Sequence, residues 1–232
     1  MARKSFDQEL HSMDEKVQAL GRMVEEALAA AVDGLVRRDL EMARRVIESD
    51  HAVNDLRFDI EHRTLVAIAT QQPMAVDLRT LAAALEIAAE LERIGDYAKG
   101  IAKITIRMGR EPFVKPLIDI PMMAEKARSM LQRALQAFLE RNVELAKAIP
   151  LEDDQMDILY NQVYRDLTAY IIADPGLVDR ASHLIWVAHN LERVADRVVN
   201  ICERVILAVT GEVVEFDGKL SQEFPSGGGN GC

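Results

Sequence analysis

Two acidic pairs are the residues best placed to do chemistry. Leu91-Glu92-Arg93-Ile94-Gly95-Asp96 and Leu191-Glu192-Arg193-Val194-Ala195-Asp196 repeat one pattern 100 positions apart. In each, a glutamate and an aspartate four residues apart share one helix face, where like charges cost about 0.2–0.5 kcal/mol. Accepting that repulsion twice, at matching places, points to a compensating cation. With Leu191 and Val194 in an apolar seam, Glu192 and Asp196 face outward. The turn preceding each motif centres near residues 75 and 175, so a hairpin sets Glu92 opposite about residue 58 and Asp96 opposite about residue 54. Asp55 and Asp59 sit at those levels. In the second copy Glu192 and Asp196 face about residues 159 and 155, beside Asp153, Asp154 and Asp157, with Asn161 next along. Each copy thus gathers carboxylate or amide oxygens from two helices. Such oxygen-only donor sets suit Mg²⁺, Ca²⁺, Mn²⁺ or iron and not zinc thiolates.

A plainer account stands beside this one: a solvated helix face, with Arg93 and Arg193 as ordinary ion-pair partners. Other chemistries find less support. The five histidines make no HExxH. Position +3 after each motif glutamate is Gly95 or Ala195, so the Glu-x-x-His of di-iron bundles is absent from both motifs. His189 precedes Glu192 by one turn and reads as a surface or core histidine, with an accessory-ligand role as the alternative. No Walker A, Rossmann glycine or G-x-S-x-G pattern occurs. Arg79 reads as a salt-bridge partner of Asp77 or of the end of the second helix, and Cys202 as structural.

The elements that position these residues are helices. Phe6, Leu10, Met13, Val17, Leu20, Val24, Leu28, Ala31 and Leu35 recur at steps of three and four, one stripe on a long first helix. Asp39 to Ile47 reads as a short helix. A second long one carries Val53, Leu56, Ile60 and Ile68 and ends near Gln71-Gln72-Pro73, because proline disfavours helix before it. A third runs from Asp77 to Met108, before Gly109, Pro112 and Pro116 break the chain. The pattern then restarts. Ala127, Leu131, Leu135 and Phe138 mark a fourth helix, and Met156, Leu159, Val163 and Leu167 a fifth. Leu184, Val187, Leu191, Val194, Val198, Ile201, Val205 and Ala208 mark a sixth.

The restart is an internal repeat. Arg38-Asp39-Leu40-Glu41-Met42-Ala43 matches Arg141-Asn142-Val143-Glu144-Leu145-Ala146 at an offset of 103, and Val53-Asn54 matches Met156-Asp157 at the same offset. The acidic motifs match at 100, so three positions are lost at the intervening proline turn, where loops tolerate deletion. The expected fold is all-α: two tandem antiparallel three-helix bundles over 1–112 and 113–215, with a flexible tail over 216–232.

Composition agrees. Of 232 residues, 49% are hydrophobic and only 5% aromatic, a helical core vocabulary of Leu, Ile, Val, Met and Ala. The net charge of −10 argues against nucleic acid as a partner. No stretch approaches the roughly 18 apolar residues of a membrane span, and no apolar leader follows Met1-Ala-Arg-Lys. Cys202 and Cys232 form no CxxC pair or disulfide framework, which reads as a reducing cytoplasm.

Gln72-Pro73-x-x-x-Asp77-Leu78-Arg79 followed by Leu91-Glu92-Arg93-Ile94-Gly95-Asp96, with a degenerate second copy at 191–196, resembles the PhoU family over roughly residues 5–212. The resemblance implies two tandem three-helix bundles without catalytic turnover. It implies metal sites (iron, manganese, magnesium or zinc) at paired acidic motifs, here Glu92/Asp96, Glu192/Asp196, Asp55/Asp59 and Asp153/Asp157. The second half has Ile158 and Gln162 where the first has Asp55 and Asp59, so its cluster is expected to be poorer in metal or built differently. Implied partners are a phosphate-transporter ATPase and a membrane sensor kinase, held in its phosphatase-favouring state when phosphate is plentiful, with the regulator often a homodimer. The competing expectations are a metal-dependent hydrolase or oxidase, which needs a general base or open coordination site, and a purely structural helical module.

Overall fold

The computed structural model describes residues 2–216. The chain runs through α1 (Ala2–Arg37), α2 (Leu40–Gln71) and α3 (Val76–Met108), then α4 (Asp119–Glu140), α5 (Val143–Ala148), α6 (Asp153–Ala173) and α7 (Val178–Thr210), with 3₁₀ turns at Pro150–Glu152 and Pro175–Leu177. No strand occurs among the described residues.

The repeat is visible in the turns. Arg38 and Arg141 both adopt a left-handed conformation (φ 55° and 53°) and both precede a cap. Asp39 accepts hydrogen bonds from the backbone N–H groups of Glu41 and Met42, and Asn142 accepts one from that of Leu145, satisfying donors that the first helical turn leaves free. Beyond these caps the two halves diverge. The expected break between Asp39–Ile47 and the next long helix does not exist, because α2 is continuous from Leu40. In the second half the break is real: Pro150 opens a 3₁₀ turn that separates α5 from α6. The segment 40–71 contains no proline, so nothing interrupts its helical hydrogen bonding.

Each half forms a three-helix bundle, α1–α2–α3 and α4–α6–α7, and the two share one core rather than packing as separate units. Helices α3 and α7 run side by side at the centre, while α1 packs on α4. Val17, Leu20, Val24, Leu91, Ile94, Phe138, Leu191 and Val194 are all fully excluded from solvent. Small residues let the helices approach: a Cβ on Gly21 would lie 2.3 Å from Leu135 Cδ1.

Contacts between α3 and α7 set their register. Arg204 Nη1 lies 2.9 Å from Glu86, Arg197 Nη1 3.4 Å from Glu90, and Arg193 Nε donates to Tyr97 Oη at 3.4 Å. Numbers that rise on one helix fall on the other, so the helices are antiparallel, and the two acidic motifs lie at the same level near the middle of this central pair. Arg79 makes neither expected salt bridge. Its guanidinium donates to the Ala208 carbonyl at 3.4 Å, at the carbonyl-rich end of α7. Phe216, expected in the tail, packs against the core, and its N–H donates to Glu203 Oε1 at 2.9 Å. The remainder of that tail, 217–232, lies outside the described residues.

Candidate metal centre

In the second half the structure brings the expected residues together. Asp153 and Asp157 stand one turn apart on α6, and Glu192 and Asp196 one turn apart on α7. Their charges act on one another. Burial and the fields of Asp157, Asp196 and Asp154 push the Asp153 carboxyl up to about 6. Burial, Asp196 and Asp157 push Glu192 up to about 7. Burial and Asp196 raise Asp157, and burial raises Asp196 against the opposing pull of Arg193 and Arg197. Arg193 Nη1 lies 3.3 Å from Asp196, so the ion-pair account describes part of this cluster.

Arginine does not neutralise the rest. Glu192 Oε2 is buried and accepts no hydrogen bond; His189 Nδ1 lies 3.3 Å away without hydrogen-bonding geometry. A buried carboxylate oxygen without a donor costs about 1–3 kcal/mol or more. His189 also sits against the Tyr160 and Trp186 rings, with centroids at 6.0 and 5.9 Å.

The first half departs from expectation. Asp59 faces α1, where it pairs with Lys16 at 2.7 Å and with Arg63 at 2.9 Å, and these cations hold its carboxyl below the usual range. Asp55 is exposed. Neither is among the charges that act on Glu92, which are Asp96, Arg57, Asp50 and Arg93. The residues that face α3 are Asp50 and Asn54. Asp50, 6% exposed, accepts from Lys99 Nζ at 2.5 Å and from Asn54 Nδ2 at 3.2 Å, and Lys99 Nζ also lies 3.8 Å from Asp96.

The correction is one of azimuth. Levels along the hairpin agree with the spacing, since Lys99 meets Asp50 and Gly95 approaches Val53. At about 100° per residue, however, positions 50, 53, 54, 57 and 60 share the face toward α3, and 55 and 59 turn away. A signal for this was present: the 103-residue offset carries Asp153 onto Asp50 and Asp157 onto Asn54. The second-half cluster is built differently from the first: four carboxylates act on one another there, against three in the first.

Among the described residues no group of three or more His, Cys, Asp or Glu side chains is drawn tightly enough to hold a metal ion as it stands. The donor chemistry of the second-half cluster nevertheless fits one: four hard oxygen donors on two helices, mutually repelling, with one buried oxygen unpartnered. Asp153, Asp157, Glu192 and Asp196 would be its ligands. Cys202, fully buried with its thiol pushed up to about 12, takes no part.

Fold and site together define a duplicated helical-bundle protein bearing acidic clusters. The chain belongs to the PhoU family: the PhoU domain model matches residues 17–105 and again 120–205. It is 32% identical over 218 residues to the phosphate-specific transport system accessory protein PhoU homolog of Clostridium acetobutylicum, covering 94% of this chain and 100% of that protein. Its identity to the Aquifex aeolicus homolog is 36% over 207 residues, 89% of this chain and 94% of that protein. Crystal structures agree. PhoU from Streptococcus pneumoniae, described as a phosphate transport system regulatory protein, superposes with a TM-score of 0.85 at 30% identity, covering 91% of this chain and 100% of that one. PhoU from Pseudomonas aeruginosa gives 0.85 at 31% identity, covering 89% and 100%. These names describe accessory and regulatory proteins, not enzymes.

Proposed function

We propose that the chain is a non-enzymatic regulator of phosphate uptake and phosphate-starvation signalling, an adaptor between a phosphate-transporter ATPase and a membrane sensor kinase. Family membership across both halves carries this reading. The names of the relatives supply the link to phosphate transport. Among the described residues no helix is long and apolar enough to cross a membrane, in keeping with an adaptor that works in the cytoplasm, as a homodimer, beside membrane partners.

In this reading the acidic cluster of the second half binds metal ions, and a bound cation supplies the positive charge that cancels carboxylate repulsion. The chain's part is to hold Asp153, Asp157, Glu192 and Asp196 on two packed helices and to keep Glu192 Oε2 away from competing donors. Loss of the cation raises repulsion at the α6–α7 surface and weakens docking there. A metal-dependent hydrolase or oxidase has no specific observation in its favour.

The test is to replace Glu92, Asp96, Glu192 and Asp196 with Ala and to measure bound metal, mass in solution, and association with the ATPase and with the kinase. We expect metal content and association to fall together in a folded dimer. Unchanged metal content would remove the metal role, and wild-type protein that associates with neither partner would remove the adaptor role.

A further inference from the structure

The two clusters are not equivalent, and the difference lies in what surrounds the repeated carboxylates. By the offsets of 103 and 100, Asp50, Asn54, Glu92 and Asp96 correspond to Asp153, Asp157, Glu192 and Asp196. One carboxylate of the second half is thus an amide in the first. Two neighbours change in the same direction: Tyr160 corresponds to Arg57, and Val199 to Lys99. The motif arginine is common to both copies and does not distinguish them.

Lys99 does. Its ammonium lies 2.5 Å from Asp50 and 3.8 Å from Asp96, bridging the two helices that carry the cluster. Asp50 is 6% exposed, and a carboxylate so buried requires a charge partner. An ammonium is a compact point charge with three donors. Tethered by its own chain, it competes with any free ion at an effective concentration on the order of millimolar or higher. In the second half Val199 offers no such group. The nearest cations are turned to other use or to one carboxylate only: Arg197 pairs with Glu90 at 3.4 Å, and Arg193 with Asp196 at 3.3 Å.

We infer that Lys99 is the resident cation of the first-half cluster, standing where a metal ion would otherwise sit, and that metal loading is confined to the second half. The second clause rests on the metal reading given above; the first rests only on the Lys99–Asp50–Asp96 geometry.

The experiment measures Mn²⁺ bound per chain by equilibrium dialysis, with circular dichroism as the check on folding. Asp50→Asn leaves wild-type Mn²⁺ binding unchanged, whereas Asp153→Asn abolishes it. Lys99→Met binds at least one additional Mn²⁺, and adding Asp50→Asn to it removes that gain. The reciprocal change, Val199→Lys, leaves every carboxylate in place and weakens second-half binding by about tenfold or more; it keeps the test open if Lys99→Met does not fold. Loss of Mn²⁺ in Asp50→Asn overturns the inference, as does a folded Lys99→Met with no gain or Val199→Lys with undiminished binding. If wild-type protein binds no Mn²⁺ while Lys99→Met does, the second-half metal reading fails and the assignment of Lys99 stands.

Discussion

Glu192→Gln makes the metal-free protein more stable at neutral and alkaline pH. The native state holds the Glu192 carboxyl at about 7, against an ordinary value of 4.5, through burial and the fields of Asp196 and Asp157. Between those two values the folded chain keeps a proton that the unfolded chain has released, so stability falls as pH rises across that window. The penalty is absent below pH 4.5 and complete above about 7. Its ceiling is about 3 kcal/mol, and because the side chain is 21% exposed, solvent reduces it to about 2 kcal/mol. Glutamine has no charge to desolvate, and its amide donates toward Asp157 or Asp196. For a chain of this size the gain is about 4–8 °C in melting temperature. Thermal melts in a chelator, from about pH 4.5 to about pH 8, measure it: the two proteins converge at the acid end and separate toward the alkaline end. Added Mn²⁺ raises the wild-type melting temperature more than that of the variant. Parallel pH curves, or a variant less stable than wild type at the alkaline end, would refute the reasoning that four carboxylates are crowded without sufficient countercharge.

Two other outcomes rest on packing. Phe138→Ala empties the site of the largest fully buried side chain and removes the ring under the Arg141 guanidinium, 4.6 Å from its centroid; urea titration should show a loss of about 3–5 kcal/mol. Cys202 is fully buried with its thiol pushed up to about 12, so in a Cys232→Ser background it resists thiol reagents until the protein unfolds. Prompt labelling of the native protein would contradict that burial.

Hydropathy spacing and the duplicated motif determined much on their own: seven of the nine first-helix stripe positions, from Met13 to Leu35, are at most 5% exposed, as the three-and-four spacing requires. The repeat offset matched the segments that begin at Arg38 and Arg141, where the structure has like turns, and counting back from the proline turn set Asp153 and Asp157 level with Glu192 and Asp196. Periodicity reports which residues face inward and how far along a hairpin they lie. It leaves the azimuth of polar residues open, because a solvated face carries no apolar label. Tertiary packing alone decided that Asp59 turns to Lys16 and that the Lys99 ammonium reaches Asp50. It also decided that α3 and α7 meet antiparallel at a shared core, with Arg197 drawn across to Glu90. Such pairings depend on where a neighbouring helix sits relative to a side chain's end, a three-dimensional distance that no one-dimensional spacing encodes.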